Sequence, residues 1–145
     1  MAKETLTLQE LAEASFLSVE NYRRIVGTTE FRSIFGDDET DERRIRYNRR
    51  KAIILMAGTD CVRSGKMKAP QAGRTAGRIA ECLAFDPDAA QVHVEFRQNG
   101  ASFTFTSDDA PDAAVAAGPA RFRMTFDLNA YRAAVDAAMG GSGVE

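Results

Sequence analysis

Glu20, Asn21, Arg23 and Arg24 follow Ser18 within one short segment, and Arg43, Arg44, Arg46, Arg49, Arg50 and Lys51 come soon after. An arginine fork matches guanine and phosphate oxygens, and an asparagine pairs with an adenine edge. Clustered cations neutralise phosphates and release counterions. These residue types predict recognition of a nucleic acid: the first group meets bases and adjacent phosphates, and the second grips the backbone without reading sequence.

The residues of bond-making chemistry do not assemble in the same way. The single histidine, His93, falls on the polar side of a predicted strand. Cys61 and Cys82 lack a metal-ligand spacing and read as small buried hydrophobes. The acidic run Asp37, Asp38, Glu39, Asp41 and Glu42 is contiguous and solvated, not a pair opposed across a cleft. Gly73-Arg-Thr-Ala-Gly77 lacks the Lys-Ser/Thr of a phosphate loop. No catalytic residue, metal site or cofactor is predicted, and an enzyme is not expected.

Two short helices must position the first group. Thr7 and Glu10 form a capping box, and Leu8, Leu11 and Ala12 make one apolar face behind it. Ser15-Phe16-Leu17 breaks the pattern. Ser18 then caps a second helix whose inner side is Val19, Tyr22, Ile25 and Val26, which leaves Glu20, Asn21, Arg23 and Arg24 outward. Such a pair resembles the helix-turn-helix families, whose second helix enters the major groove. Phe16 departs from the usual glycine at the turn, so the turn is expected to be longer or differently shaped.

Charge supports this placement. Residues 1–80 hold fifteen Lys and Arg against eleven Asp and Glu, whereas 81–145 hold four against ten. Within 43–78 there are eleven cations and one acid, Asp60. That asymmetry is the expected electrostatic footprint of nucleic-acid binding. The acidic remainder suits a protein partner.

Arg43-Arg44-Ile45-Arg46-Tyr47 reads as a returning strand or wing. Asn48 caps a helix over 49–64, Gly65 stops it, and Pro70 opens another over 70–83. This order resembles MerR-type winged helix-turn-helix regulators over approximately residues 6–84. The resemblance implies that Arg46 and Tyr47 touch phosphates, with Arg23 and Arg24 on the recognition helix. That family's Arg-Tyr-Tyr sequence and long C-terminal coiled coil are absent, so its dimer is not implied.

Val92 to Phe96 alternates apolar and polar, Asn99-Gly100 marks a hairpin turn, and 101–106 returns with the same alternation. Residues 107–119 read as a mobile surface loop. Phe122, Met124 and Phe126 point inward from a third strand, and Asp127 or Asn129 caps a last helix over 130–139. The predicted class is α+β: a winged helix-turn-helix with two further helices, then a three-stranded antiparallel β-meander and a C-terminal helix. Residues 1–69 form the DNA-binding region, 70–139 an α-β-β-β-α lobe for dimerisation or partner contact, and 140–145 a flexible tail. The lobe's element order also occurs in double-stranded RNA-binding domains.

Residue content of 44% hydrophobic suffices for a core without staples. No apolar run approaches the ~18–20 residues that span a bilayer, and Met-Ala-Lys-Glu-Thr-Leu lacks a secretory core, so a cytoplasmic protein is expected. Abundant Ala, Arg, Asp and Gly suggest a bacterial or phage source. The leading expectation is a sequence-specific double-stranded-DNA-binding transcriptional regulator, with a homodimer or protein contact through the C-terminal lobe. The rival classes are a non-enzymatic adaptor with a structural helical hairpin, and a structured-RNA binder.

Overall fold

Thr7 starts the first helix through both halves of its capping box. Its hydroxyl accepts the Glu10 N–H at 3.2 Å, and its own N–H donates to the Glu10 carboxylate at 2.9 Å. The computed structural model describes residues 4–15, 17–27, 29 and 46–140. Phe16, the stretch 30–45 with Arg43 and Arg44, the tail from 141 and the side chain of Ile25 lie outside the described residues.

Helix α1 (Leu8–Ala14) buries Leu8, Leu11 and Ala12. The Leu17 N–H donates back to the Ala12 carbonyl, the Ser18 hydroxyl accepts the Asn21 N–H, and α2 (Val19–Val26) follows. Helix α3 (Arg49–Arg63) is capped by Asn48, whose side chain accepts the Lys51 N–H at 2.9 Å. Ala52 through Thr59 are all buried, as is Cys61, so α3 is covered on every side and forms the central rod. Helix α4 (Ala69–Phe85), with proline in its first turn, packs back along it.

Gly65 ends α3 for a reason other than backbone freedom. The positive φ at this helix end, 58°, belongs to Lys66. Gly65 is required by contact: an added Cβ would lie 2.7 Å from the Cys61 carbonyl oxygen and 2.6 Å from the Met124 methyl. The methyl can swing away and the carbonyl cannot. Gly65→Ala is expected to cost about 1–3 kcal/mol, seen as a lower urea midpoint with unchanged m-value. A midpoint within error of wild type would show that α3 unwinds there freely.

The sheet comprises β1 (Gln91–Arg97), β2 (Ser102–Phe105) and β3 (Ala120–Asp127), all antiparallel. Its order is β2-β1-β3, not the sequential order of a meander. A tight turn would have set β3 beside β2, but the 106–119 connection is long enough to cross one face of β1 and deliver β3 to its other edge. That connection is not merely a loop: it carries α5 (Asp112–Ala116), whose Ala114 is fully buried. Helix α6 (Leu128–Ala138) follows β3 directly, with Asp127 as its cap.

Ladder register sorts the side chains. Val92, Val94, Phe122, Met124 and Phe126 share the face toward α4 and α6, where the Phe96 and Phe122 rings stack at 5.8 Å. Phe105 pairs with His93 and Phe103 with Glu95, so these two phenylalanines lie on the opposite face. The phenylalanines of the sheet are therefore divided between its two faces, because alternation fixes a period and not which side is inward.

One core runs from Leu6 through Tyr47, Ile54, Leu83 and Val92 to Met139, shared by the 1–69 and 70–139 stretches. Two polar contacts tie α6 to α3. The Tyr131 hydroxyl donates to Asp60 at 2.6 Å, and Arg49 grips Asp136 through two bonds at 2.7 and 3.0 Å.

Candidate nucleic-acid interface

Tyr22 orients α2. Its ring is fully buried, and its hydroxyl bonds that of Ser15 at the end of α1. Burial raises the phenol pKa, against the pull of hydrogen bonds from Ser15 and Thr59. With Tyr22 turned inward, Ser18, Glu20, Asn21, Arg23 and Arg24 are exposed, the arrangement expected from the sequence. Glu20 in the first turn and Arg23 and Arg24 in the last complement the helix dipole. Arg23 pairs with Glu20 at 2.9 Å, with both side chains well exposed, a contact weak enough to exchange for a ligand. Asn21 and Arg24 carry no side-chain bond to another described residue.

The second group disperses. Arg43 and Arg44 lie outside the described residues. Arg46 is exposed and donates to the Thr5 hydroxyl at 2.7 Å, bracing the chain before α1. Tyr47 is only 2% exposed, in an isolated antiparallel bridge with Leu6, so the expected phosphate contact from this residue is corrected: the phenol belongs to the core. The apolar ring gains more from that core than from a solvated wing. Arg49 is taken up by Asp136, Arg50 donates to the Ala80 carbonyl at 3.1 Å, and Lys51 is half-buried.

Position separates these residues further. Tyr22 seats beside Thr59, ten residues along α3 from Arg49, or about 15 Å at the rise of an α-helix. Arg49 and Arg50 instead line a cleft of about 280 Å³ with Ile53, Leu83 and Arg132. Arg63 is a cation whose charge reaches the seat of α2 and acts on the Tyr22 phenol. It was not singled out from sequence, although its place in the last turn of a helix beside the two-helix unit was a usable signal.

A second concentration of charge lies under the 107–118 segment. His93 was expected on the polar side of a strand; it and its face-mates Glu95 and Arg97 are all buried, at 4%, 2% and 9% exposure. Chain crosses above them: the Gly118 carbonyl accepts from Arg97 and the Asp108 carbonyl from Arg123. Glu95 bridges Arg97 on its own strand and Arg123 on β3, the latter at 2.7–2.8 Å. Burial pushes the Glu95 pKa up, but Arg123 and Arg97 outweigh it and hold the carboxyl below its ordinary value. His93 bonds the Thr125 hydroxyl at 2.9 Å, and its pKa is lowered by burial and then by the Arg123 charge.

Burial also pushes the Cys61 thiol up to about 12, and the half-buried Cys82 thiol upward. Both cysteines are free. Among the described residues no cluster of three His, Cys, Asp or Glu is placed to hold a metal, and no helix is long and apolar enough to cross a membrane. No protein-family model, curated protein or solved structure matches this chain.

Proposed function

We propose that this protein is a sequence-specific double-stranded-DNA-binding regulator of the MerR-like winged helix-turn-helix kind, with α2 as its recognition helix. One observation carries the reading: buried Tyr22 fixes α2 so that Glu20, Asn21, Arg23 and Arg24 all face solvent. A helix presented in this way fits the major groove, with Asn21 suited to adenine and either arginine to guanine. Arg46 and Arg63 are exposed and suited to phosphate contacts, and Arg43 and Arg44 join them in this reading. A role on DNA belongs in the cytoplasm of a bacterium or a phage-infected cell.

The adaptor reading is favoured by a different observation. Arg49 and Arg50 are engaged within the fold, so part of the basic stretch serves packing. Fluorescence anisotropy of random-sequence duplex DNA across a salt series separates the two. Binding is expected to fall steeply with salt. In Arg23→Ala/Arg24→Ala the log–log slope is expected to become shallower by up to about 2, since on random sequence both cations lie against phosphates. Absence of binding at low salt overturns the DNA reading in favour of the adaptor. Stronger binding to structured RNA than to duplex DNA redirects it to RNA.

A further inference from the structure

Arg50 and Arg132 are guanidiniums without a carboxylate. Among the described residues neither makes an ion pair, and each is held by neutral oxygens instead. Arg50 reaches across from α3 and donates Nη2 to the Ala80 carbonyl on α4 at 3.1 Å. Arg132 on α6 donates Nη1 to the Ala89 carbonyl at 2.7 Å and to the Asn129 side-chain oxygen at 2.9 Å, and Nη2 to the Pro87 carbonyl at 2.8 Å. These bonds order both side chains and leave both charges whole.

Both arginines line the cleft of about 280 Å³ between α3, α4 and α6. Arg49 lines it too, but Asp136 has taken up its charge. Buried Ile53 and Leu83 supply an apolar floor. Asp88 stands on the rim, exposed and bonded to neither arginine, so it tempers the positive field without neutralising it.

Two like charges that face one cleft repel, and an anion between them removes that cost. Guanidiniums match carboxylate and phosphate oxygens through paired N–H donors. Arg50 keeps Nε and Nη1 unbonded for this role, and Arg132 keeps Nε. Because both side chains are already ordered, little conformational freedom is lost when an anion arrives. The floor favours a ligand with an apolar body. The volume falls just under the ~300–1,000 Å³ of pockets for drug-sized ligands, so that body is short.

We infer that this cleft binds a small organic anion, a carboxylate or phosphate on a short apolar body, with its head on Arg50 and Arg132 and its body on Ile53 and Leu83. The inference does not rest on DNA binding and applies to the protein free of nucleic acid.

Titration of the full ¹⁵N-labelled chain with hexanoate, and separately with hexyl phosphate, tests it by NMR. The amide resonances of Ile53, Leu83, Asp88 and Arg132 are expected to shift together and saturate with one Kd. Hexanol lacks the charge and acetate lacks the body, and each is expected to bind about tenfold more weakly or worse. Arg50→Ala gives up a single bond of an exposed side chain, so the fold is kept, as unchanged resonances away from the cleft would verify. It is expected to weaken hexanoate binding by about tenfold or more, the worth of hydrogen bonds to a charged group. Asp88→Ala removes the opposing charge and is expected to tighten binding by about two- to fivefold, the scale of exposed charge pairs. Saturable binding of either anion supports the inference, and the tighter of the two identifies the head group. Absence of saturable shifts at the cleft with both anions overturns it. So does hexanol binding as tightly as hexanoate, or hexanoate affinity unchanged in Arg50→Ala.

Discussion

Replacing Glu95 by Ala is expected to lower stability by about 3 kcal/mol, toward the lower end of what removing one partner from a buried ion pair costs. Among the described residues the carboxylate is the one anion that pairs with both Arg97 and Arg123, and it is 2% exposed. Truncation leaves two guanidiniums on adjacent strands facing each other beneath the 107–118 segment. The lower end applies because a single layer of chain covers the site, so water reaches it after a small movement. Glu95→Gln keeps the volume and one acceptor, and should lose less. Urea unfolding at neutral pH measures both, and a loss below about 0.5 kcal/mol for Glu95→Ala, the scatter of ordinary surface substitutions, would show that the triad is solvated.

Acid should act at the same place in two steps. His93 and Glu95 both titrate below their ordinary values in the folded chain. For each, the stabilising contribution is complete above the ordinary value and is lost as pH falls toward the folded one, because the unfolded chain takes up the proton first. Stability should therefore begin to decline as pH drops below 6.5, through His93, and decline again below 4.5, through Glu95. In His93→Phe the first decline should vanish and the second remain. A wild-type urea midpoint that is flat between neutral pH and pH 5 would remove His93 from this account.

Tyr22→Ala is expected to cost about 3–5 kcal/mol, as truncation of a large buried ring does. It should also abolish DNA affinity more completely than Arg23→Ala/Arg24→Ala. The ring is what holds α2 against α1 and α3, so its loss frees this helix rather than trimming it. Tyr22→Phe keeps the ring and removes the hydroxyl's bonds to Ser15 and Thr59, for about 1–2 kcal/mol, with DNA affinity largely retained. Equal DNA affinity in Tyr22→Ala and wild type, in protein shown to be folded, would mean that α2 is not the binding element.

Local chemistry was legible in the sequence and long-range pairing was not. Thr7, Asn48 and Asp127 cap helices through neighbours three residues away, so their roles can be read from a window of four. The outward set on α2 follows from the 3.6-residue period alone. By contrast, Arg49 finds Asp136 across 87 positions and Tyr47 finds Leu6 across 41, and no local pattern announces either. Alternation in β1 reads the same whether its polar face meets water or a covering segment. Only the crossing of 107–118 decides that His93, Glu95 and Arg97 are inside. The crossing itself depends on which edge β3 chooses, which also misled the reading of the sheet as a meander.

That choice of edge has a consequence during synthesis. As the chain leaves the ribosome, α1 to α4 and the β1–β2 hairpin emerge first, yet α3 has no full covering and β1 keeps one open edge. Both vacancies are filled by the last described elements, β3 and α6, and the same two elements seal Glu95 through Arg123 and Asp60 through Tyr131. A nascent chain halted before residue 120 would hold a large apolar surface and an unpaired strand at once, the combination that chaperones and proteases recognise. Among the described residues the fold closes last at β3 and α6, so a chain halted before them is left with both vacancies open.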